Sequence, residues 1–268
     1  MKRRIITLLT DFGLRDPYVS TMKGVILSIC PTAEIVDISH QIRKFNINEA
    51  AFKLAFTAKY FKPSTIHLVV VDPGVGSSRK SLVVSTKNYF FIGPDNGVLS
   101  LAAEQDGIKR IIEITNEDLF LKPVSNTFHG RDIFSPIAAH VANEYPLEKI
   151  GPNTKKMIKL DFPQSVVTTD KINGAVLYID GFGNIVTNIN SELLKKLNVS
   201  HKTILEIQIK SKFKNIIMCN SYNEVTKEKL LGIIGSSGYL EISANQANAA
   251  NLFNAEITDK ISVKVSKA

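Results

Sequence analysis

One loop of the sequence carries a carboxylate, two glycines and an arginine in close succession: Asp72-Pro73-Gly74-Val75-Gly76-Ser77-Ser78-Arg79. The glycines allow a tight turn, so Arg79 can return towards Asp72 and hold its carboxylate ionised and fixed in direction. Taken alone, the loop is equally well interpreted as a salt bridge that braces a turn. Glycines also occur in phosphate-binding loops, but no Lys-Ser/Thr pair follows here, which argues against a Walker-type site.

A second segment with chemical potential is Thr127-Phe128-His129-Gly130-Arg131-Asp132. His129 precedes a helix that Asp132 is expected to begin, and the positive end of a helix lowers the pKa of a histidine. A lone loop histidine is usually inert, but a position between an aromatic residue and a glycine at a helix start favours a site residue. The other histidines show no metal-ligand spacing, so no metal site is predicted: His40, His67, His140 and His201.

Two further segments in the second half of the chain could contact a ligand. In Asp180-Gly181-Phe182-Gly183-Asn184, the two polar side chains flank an aromatic residue, although Asp, Gly and Asn also favour turns for backbone reasons alone. The stretch from Gly235 through Ser236 to Glu241, with Ala244 to Ala250 after it, is rich in small residues. Small residues let backbone amides approach a flat ligand, but a plain hairpin would have a similar sequence.

The elements that must position these residues begin with four short apolar runs that end at or run into an aspartate: Asp11, Asp37, Asp72 and Asp95. Continuous β-branched runs between helical patterns indicate buried parallel strands. Ligands of such sheets bind beyond the carboxyl ends of the strands. The sequence therefore predicts one pocket, lined by aspartates, for a polar and partly cationic small molecule.

Periodicity predicts helices over 18–28, 47–58 and 132–144, with Asn46 or Asn48 as the cap of the second. A hairpin is predicted over 82–92. These elements indicate an α/β N-terminal domain with a mostly parallel sheet over residues 1–165.

Beyond a segment punctuated by prolines and glycine, the pattern changes to short strands, so a smaller, all-β, barrel-like domain is predicted over 171–268. One helix is expected at 191–197. The predicted strands are 174–179, 185–189, 204–209, 216–219, 231–234, 239–242 and 261–265.

Composition limits the classes of function. The chain has 268 residues, 44% of them apolar, and a formal charge of +8. The charge could suit nucleic acid, but the lysines are scattered and not interleaved with aromatic residues, so no nucleic-acid partner is predicted. Cys30 and Cys219 have no metal or redox spacing, and no run approaches membrane-spanning length. A cytoplasmic protein with free thiols and no membrane partner is expected.

With these segments identified, the sequence resembles the S-adenosyl-L-methionine (SAM) hydroxide adenosyltransferases, relatives of the fluorinases and chlorinases. The resemblance spans nearly the whole chain, and five motifs follow in family order: Thr10-Asp11-Phe12-Gly13, Val71-Asp72-Pro73-Gly74-Val75-Gly76, Phe128-His129-Gly130-Arg131-Asp132, Asp180-Gly181-Phe182-Gly183-Asn184 and Ser236-Ser237-Gly238-Tyr239-Leu240-Glu241. It implies hydrolysis of SAM to adenosine and methionine, without a metal or other cofactor. It also implies a homotrimer with active sites between subunits.

The resemblance assigns roles residue by residue. Asp72, Arg79 and His129 match the set that handles the water, without indicating which of them takes its proton. Asp11 matches the ribose-binding aspartate. The residues that match methionine and adenine contacts are Asp180, Asn184, Ser236 and Glu241, with backbone near Ala244. Phe128 and Phe182 are also expected to bind the substrate.

Three other functions stay open at this point. In a SAM-dependent halogenase, halide would replace water, but the halide-binding serine of the fluorinases would correspond to Gly130 here. A non-enzymatic SAM or adenosine sensor would need Asp11, Asp180 and Asn184 but not the water-handling set. An RNA-binding module rests only on net charge and a barrel-like second domain.

Overall fold

The computed structural model describes residues 4–161 and 163–266. The chain divides into two compact units, Met1–Leu160 and Asp161–Ala268. None of the helices in the described ranges is long and apolar enough to cross a membrane.

Within residues 4–161, seven strands form one sheet. They are β1 (Ile5–Thr10), β2 (Glu34–Ser39), β3 (Ile66–Val70), β4 (Ser81–Thr86), β5 (Phe90–Pro94), β6 (Ile108–Glu113) and β7 (Asn153–Thr154). Their order across the sheet is β2-β1-β3-β5-β4-β6-β7. The first four strands in this order are parallel, whereas β4 is antiparallel to β5 and β6, and β6 is antiparallel to β7.

The sheet is therefore mixed, and the expectation of a mostly parallel sheet was wrong for its second half. For β4 and β5 the physical reason lies in their short connection. The predicted hairpin is confirmed as β4 and β5, and strands joined by so short a turn can only be antiparallel, because a parallel pair needs a long crossover.

Four α-helices flank this sheet in the described part of the first unit: α1 (Tyr18–Ile29), α2 (Ile47–Ala58), α3 (Ser100–Asp106) and α4 (Ser135–Ala142). The first two confirm the predicted helices. Asn46 caps α2, because its side chain accepts a hydrogen bond of 2.9 Å from the Glu49 N–H. The third predicted helix starts earlier than expected: a π-helical turn over Gly130–Phe134 precedes α4, so Asp132 lies inside the helical segment rather than at its start.

Alternate residues of β1 face opposite layers of the unit, as the pleat of a strand requires. Ile6 and Leu8 pack with Met22 of α1 in one core cluster, and Leu9 packs with Leu54 of α2 in the other. The sheet is thus covered on both faces, and its strand ends are left to form the site.

In residues 163–266, seven strands close a barrel and an eighth extends its edge. The strands are β8 (Val166–Val167), β9 (Lys171–Ile179), β10 (Ile185–Asn190), β11 (Ile204–Ile209), β12 (Lys212–Met218), β13 (Leu230–Ile234), β14 (Tyr239–Ala244) and β15 (Lys260–Val265). The order is β10-β14-β13-β12-β11-β15-β9-β8, and pairing of β9 with β10 closes the ring. All seven predicted strands belong to the barrel, and the barrel-like prediction is confirmed.

Two short helices, α5 (Ser191–Lys196) and α6 (Ala249–Phe253), accompany the barrel. Its interior is filled by alternate apolar side chains, including Leu205, Ile207 and Ile209 of β11, all fully buried. A filled interior leaves ligand binding to the loops and rims of this unit.

Candidate active site

Two of the four strand-end aspartates meet at one edge of the first sheet. Thr10 of β1 pairs with Val70 of β3 in parallel register, so Asp11 and Asp72 follow neighbouring strand ends. Both line a cavity of about 370 Å³ in the first unit. Asp11 is 5% exposed, and the side chain of Asp72 is 4% exposed.

The prediction that all four aspartates converge was wrong. Asp37 lies inside β2, and its carboxylate pairs with Lys23 and His40. Asp95 accepts a hydrogen bond of 2.7 Å from the Ile158 N–H, so its carboxylate anchors backbone outside the cavity.

Asp72, Arg79 and His129 are joined through the guanidinium group. Arg79 Nε donates to both Asp72 oxygens at 3.0 Å, and a terminal nitrogen donates to Oδ2 at 2.5 Å. The same terminal nitrogen lies 2.8 Å from His129 Nδ1. Because a guanidinium has no acceptor, Nδ1 must accept this hydrogen bond, and a neutral His129 then carries its hydrogen on Nε2.

Other contacts also fix the guanidinium of Arg79. Its remaining terminal nitrogen donates to Ser81 Oγ at 2.7 Å, and its central carbon lies 5.2 Å from the centre of the Phe134 ring. Arg79 itself is not part of the cavity wall, whereas Asp72 and His129 are. The arginine thus orients two side chains that can reach a ligand.

Burial, and next the positive charge of Arg79, lower the pKa of His129, against smaller opposing effects of Asp72 and Asp132. The direction agrees with the sequence-based expectation, but its physical cause is burial and the arginine. At neutral pH, His129 is therefore neutral and matches the tautomer that the Arg79 contact requires.

The two loops that carry these residues can meet because position 76 is glycine. Gly76 has φ of +77°, and a Cβ atom there would lie 2.3 Å from the carbonyl oxygen of Asn126. The loop containing Asn126 is itself held by Asp132, whose carboxylate accepts from the Ser125 N–H at 2.8 Å and pairs with Arg131. Asp132 therefore supports the loop that presents His129.

An aromatic cluster forms another wall of the cavity. The rings of Phe12, Tyr18 and Phe128 lie 5.1 to 5.8 Å apart, centre to centre. Sequence reasoning found Phe128 but missed the other two. Phe12 follows Asp11 directly and could have been found on that ground, whereas nothing in the sequence around Tyr18 marks it.

The cavity also includes residues on the loop after β2. Phe45 N–H donates to Asp11 Oδ2 at 2.8 Å, and Lys44 Nζ donates to the Asp11 carbonyl oxygen. Both Lys44 and Phe45 line the cavity, and sequence reasoning missed both.

In the second unit, Asp180, Phe182, Asn184 and Ala244 line a separate cavity of about 610 Å³. Asp180 Oδ1 accepts from the N–H groups of Phe182 and Asn184, each at 2.9 Å, and Oδ2 accepts from the Asn184 side chain at 2.8 Å. The turn therefore places Phe182 in solvent, with 81% of its surface exposed.

Ser236 and Glu241 lie outside the wall of this cavity. Ser236 is exposed, whereas Glu241 is buried and accepts a hydrogen bond of 3.2 Å from the hydroxyl of Tyr222. Burial raises the pKa of Glu241, the Tyr222 hydrogen bond opposes this, and the charge of Asp180 adds to it. Tyr222 lines the cavity and was missed, so Glu241 approaches the cavity through a residue that sequence reasoning did not single out.

Two family models match the chain. The SAM hydroxide adenosyltransferase N-terminal domain matches residues 6–151, and the SAM hydroxide adenosyltransferase C-terminal domain matches residues 174–262.

Individual relatives resemble the chain over nearly its whole length. A protein of Methanocaldococcus jannaschii named (R)-S-adenosyl-L-methionine hydrolase is 42% identical, with 97% of this chain and 95% of that protein covered. A fluorinase of Actinopolyspora mzabensis is 26% identical, with 99% and 98% covered. The crystal structure of a conserved protein from Thermotoga maritima superposes with a TM-score of 0.93 at 40% identity, with 97% and 99% covered.

Proposed function

The chain belongs to the SAM hydroxide adenosyltransferase family and hydrolyses S-adenosyl-L-methionine, and we propose that a water molecule held by Asp72 and His129 attacks the ribose C5′ carbon. The products are adenosine and methionine. The observation that carries the mechanism is the single guanidinium of Arg79 bonded to both Asp72 and His129.

The sulfonium of SAM is already a good leaving group, so the reaction needs an aligned, partly desolvated water more than it needs activation of the substrate. Asp72 and His129 provide the two kinds of contact that such a water requires. Asp72 accepts one of its hydrogens, and the Nε2–H of neutral His129 donates to its oxygen.

We infer the proton acceptor among the three residues from their hydrogen bonds. His129 Nδ1 already accepts from Arg79, and its Nε2 carries a hydrogen, so neutral His129 has no free lone pair for the water proton. Arg79 has no acceptor at all. Asp72 keeps lone pairs beyond those that Arg79 engages, and we assign it as the general base.

We propose substrate contacts in both cavities. Phe45 N–H engages Asp11 Oδ2, which leaves Oδ1 to accept from a ribose hydroxyl. Phe128 supplies apolar surface beside it. Asp180 and Asn184 offer charge and amide groups for the methionine portion, and Phe182 and Ala244 supply cavity wall. Ser236 and Glu241 are proposed as further contacts on the family resemblance alone.

SAM is the substrate, and no metal or other cofactor is assigned a role. We also propose a homotrimer in which each active site uses residues of two subunits, on the strength of the family resemblance. Light scattering at assay concentration tests this assembly, and a fully active monomer would contradict it.

Incubation of the purified protein with SAM in ¹⁸O-labelled water tests the reaction. Attack at C5′ places the label in the 5′-hydroxyl of adenosine and leaves methionine unlabelled, as mass spectrometry would show. Label in methionine, or no adenosine, would refute the mechanism.

The same assay with added fluoride or chloride is the control for halogenase activity, and no 5′-halogenated nucleoside is expected. Gly130 lines the first cavity, and a Cβ atom there would lie 3.3 Å from both Met22 Sδ and a Phe128 ring carbon. A larger residue at 130 would therefore require its neighbours to shift.

A further inference from the structure

His40 is a buried histidine outside the set that handles the water, and it lies directly behind the turn that carries Asp11. The residue is 4% exposed. Its Nδ1 is 2.9 Å from Thr10 Oγ1, and its Nε2 is 3.1 Å from Asp37 Oδ1. A buried polar ring is costly unless it is paired, so the Thr10 hydrogen bond and the nearby carboxylate of Asp37 stabilise its position.

Hydrogen bonds and a close electrostatic contact link this group. Thr10 Oγ1 accepts from the Phe12 N–H at 3.2 Å, so its own hydrogen can point to His40 Nδ1. Neutral His40 then carries its hydrogen on Nε2, which lies 3.1 Å from Asp37 Oδ1 but lacks hydrogen-bond geometry, and Lys23 Nζ donates to the other Asp37 oxygen at 2.6 Å. Thr10, His40 and Asp37 form what we term the β1–β2 relay.

The segment that contains His40 also contacts Asp11 directly. The carbonyl oxygen of His40 accepts from the Gly13 N–H at 2.7 Å, two residues after Asp11. Five residues beyond His40, Phe45 N–H holds Asp11 Oδ2 at 2.8 Å. Phe45 has φ of +64°, a backbone conformation that persists only where surrounding contacts enforce it. The relay therefore fixes the two segments that hold the Asp11 carboxylate: the turn after β1 and the loop after β2.

We propose that Thr10, His40 and Asp37 are positioning residues for substrate binding, which act by fixing the direction of the Asp11 carboxylate towards the ribose. This inference rests on the proposed role of Asp11. No atom of the relay needs to touch the substrate: Thr10 is fully buried, and neither Thr10, His40 nor Asp37 is part of the cavity wall.

A matched control exists on the same strand. Thr7 is also fully buried, and its Oγ1 is 2.8 Å from Nδ1 of another buried histidine, His67. Thr7→Val and Thr10→Val thus remove equivalent threonine–histidine hydrogen bonds while keeping side-chain volume, but only Thr10 adjoins Asp11.

The test compares KM for SAM, kcat and melting temperature for the two variants. Loss of a hydrogen bond that orients a ligand contact should raise KM about 5- to 10-fold in Thr10→Val, with a smaller change in kcat. Thr10→Ser restores the hydroxyl and should recover most of this loss. Thr7→Val should lower the melting temperature by a similar amount and leave KM unchanged.

Asp37→Asn is a second probe, on an exposed residue where folding is not at risk, and it should raise KM in the same direction. The double variant Thr10→Val/Asp11→Ala should have the KM of Asp11→Ala alone, because the relay acts through that carboxylate.

Three results would overturn the proposal: unchanged KM in both Thr10→Val and Asp37→Asn, equal KM effects of Thr7→Val and Thr10→Val, or additive effects in the double variant. An Asp11→Ala variant with native KM is a different outcome. It would refute the proposed role of Asp11 itself, on which the relay depends.

Discussion

Replacing Asp72 with asparagine removes the charge of the proposed general base and keeps the shape of the side chain. The Asp72 side chain is 4% exposed and receives three hydrogen-bond contacts from Arg79. Asparagine can keep one acceptor oxygen towards the guanidinium but cannot accept a proton from water. The substitution therefore separates chemistry from packing.

The expected loss of rate is about 10²- to 10⁴-fold, the usual contribution of a general base. This corresponds to about 2.7 to 5.4 kcal/mol of transition-state stabilisation. The variant should also be less stable, because breaking a buried ion pair costs up to about 3–5 kcal/mol when one charge is left unpaired. Since the asparagine oxygen still accepts from Arg79, the cost should lie below this range.

The assay follows adenosine formation under saturating SAM, with the melting temperature measured on the same samples. Ser81→Ala is the matched control, because it removes another hydrogen-bond acceptor of Arg79, at 2.7 Å, without touching Asp72 or His129. It should lower stability and change kcat only a few-fold.

Arg79→Ala and His129→Ala should each lower the rate by about 10²-fold or more, with much smaller changes in substrate affinity. Because the three residues act on one water, multiple variants should lose far less than the product of the single effects. Folded variants with near-native turnover would refute the catalytic assignment. A lower melting temperature with full activity would identify the cluster as a structural salt bridge.

Three other outcomes are expected. Asp180→Asn and Asn184→Ala should weaken SAM binding in calorimetry more than they slow the bound-state reaction; native affinity in both would remove these residues from the site. Asn at 180 keeps the acceptor for the two turn amides and so limits local unfolding. Chelator should leave turnover unchanged, because no group of three or more His, Cys, Asp or Glu residues in 4–161 and 163–266 could hold a metal ion; loss of activity restored by zinc or magnesium would contradict this. Finally, burial lowers the pKa of His67 to about 3, so the folded state keeps it neutral while the unfolded chain protonates near pH 6.5. Below pH 6.5 the unfolded state binds a proton that the folded state does not. The free energy of unfolding should therefore fall by about 1.4 kcal/mol per pH unit between pH 6.5 and 3. Denaturation of His67→Phe at pH 6.5 and 5 should show a shallower dependence than the wild type; identical slopes would refute this.

Features that depend on neighbours in sequence could be predicted from the sequence. The seven barrel strands, the helices at Tyr18–Ile29 and Ile47–Ala58 and the hairpin of β4 and β5 follow from periodicity and turn residues. The pairing of Asp72 with Arg79 is also local, because a glycine loop connects them. The Asp180–Asn184 turn follows from its own short sequence. In each case the contact closes only a short loop, so local preferences decide it.

Other features required the tertiary structure. Arg79 and His129 are 50 residues apart, and their contact depends on Gly76 packing against the loop at Asn126. The strand order placed the ends of β1, β3 and β5 side by side, and the hydrogen bond from the Ile158 N–H then kept the Asp95 carboxylate out of the cavity that Asp11 and Asp72 share.

The relay from Thr10 to His40 and the approach of Glu241 to its cavity through Tyr222 are likewise long-range contacts. No local sequence pattern predicts these contacts. The proposed roles of these residues depend on contacts with residues that are distant in sequence. The sequence alone therefore determined which residues could do chemistry. Packing between distant segments decided which of them meet, because that choice depends on how whole strands and helices fit together and not on any local preference.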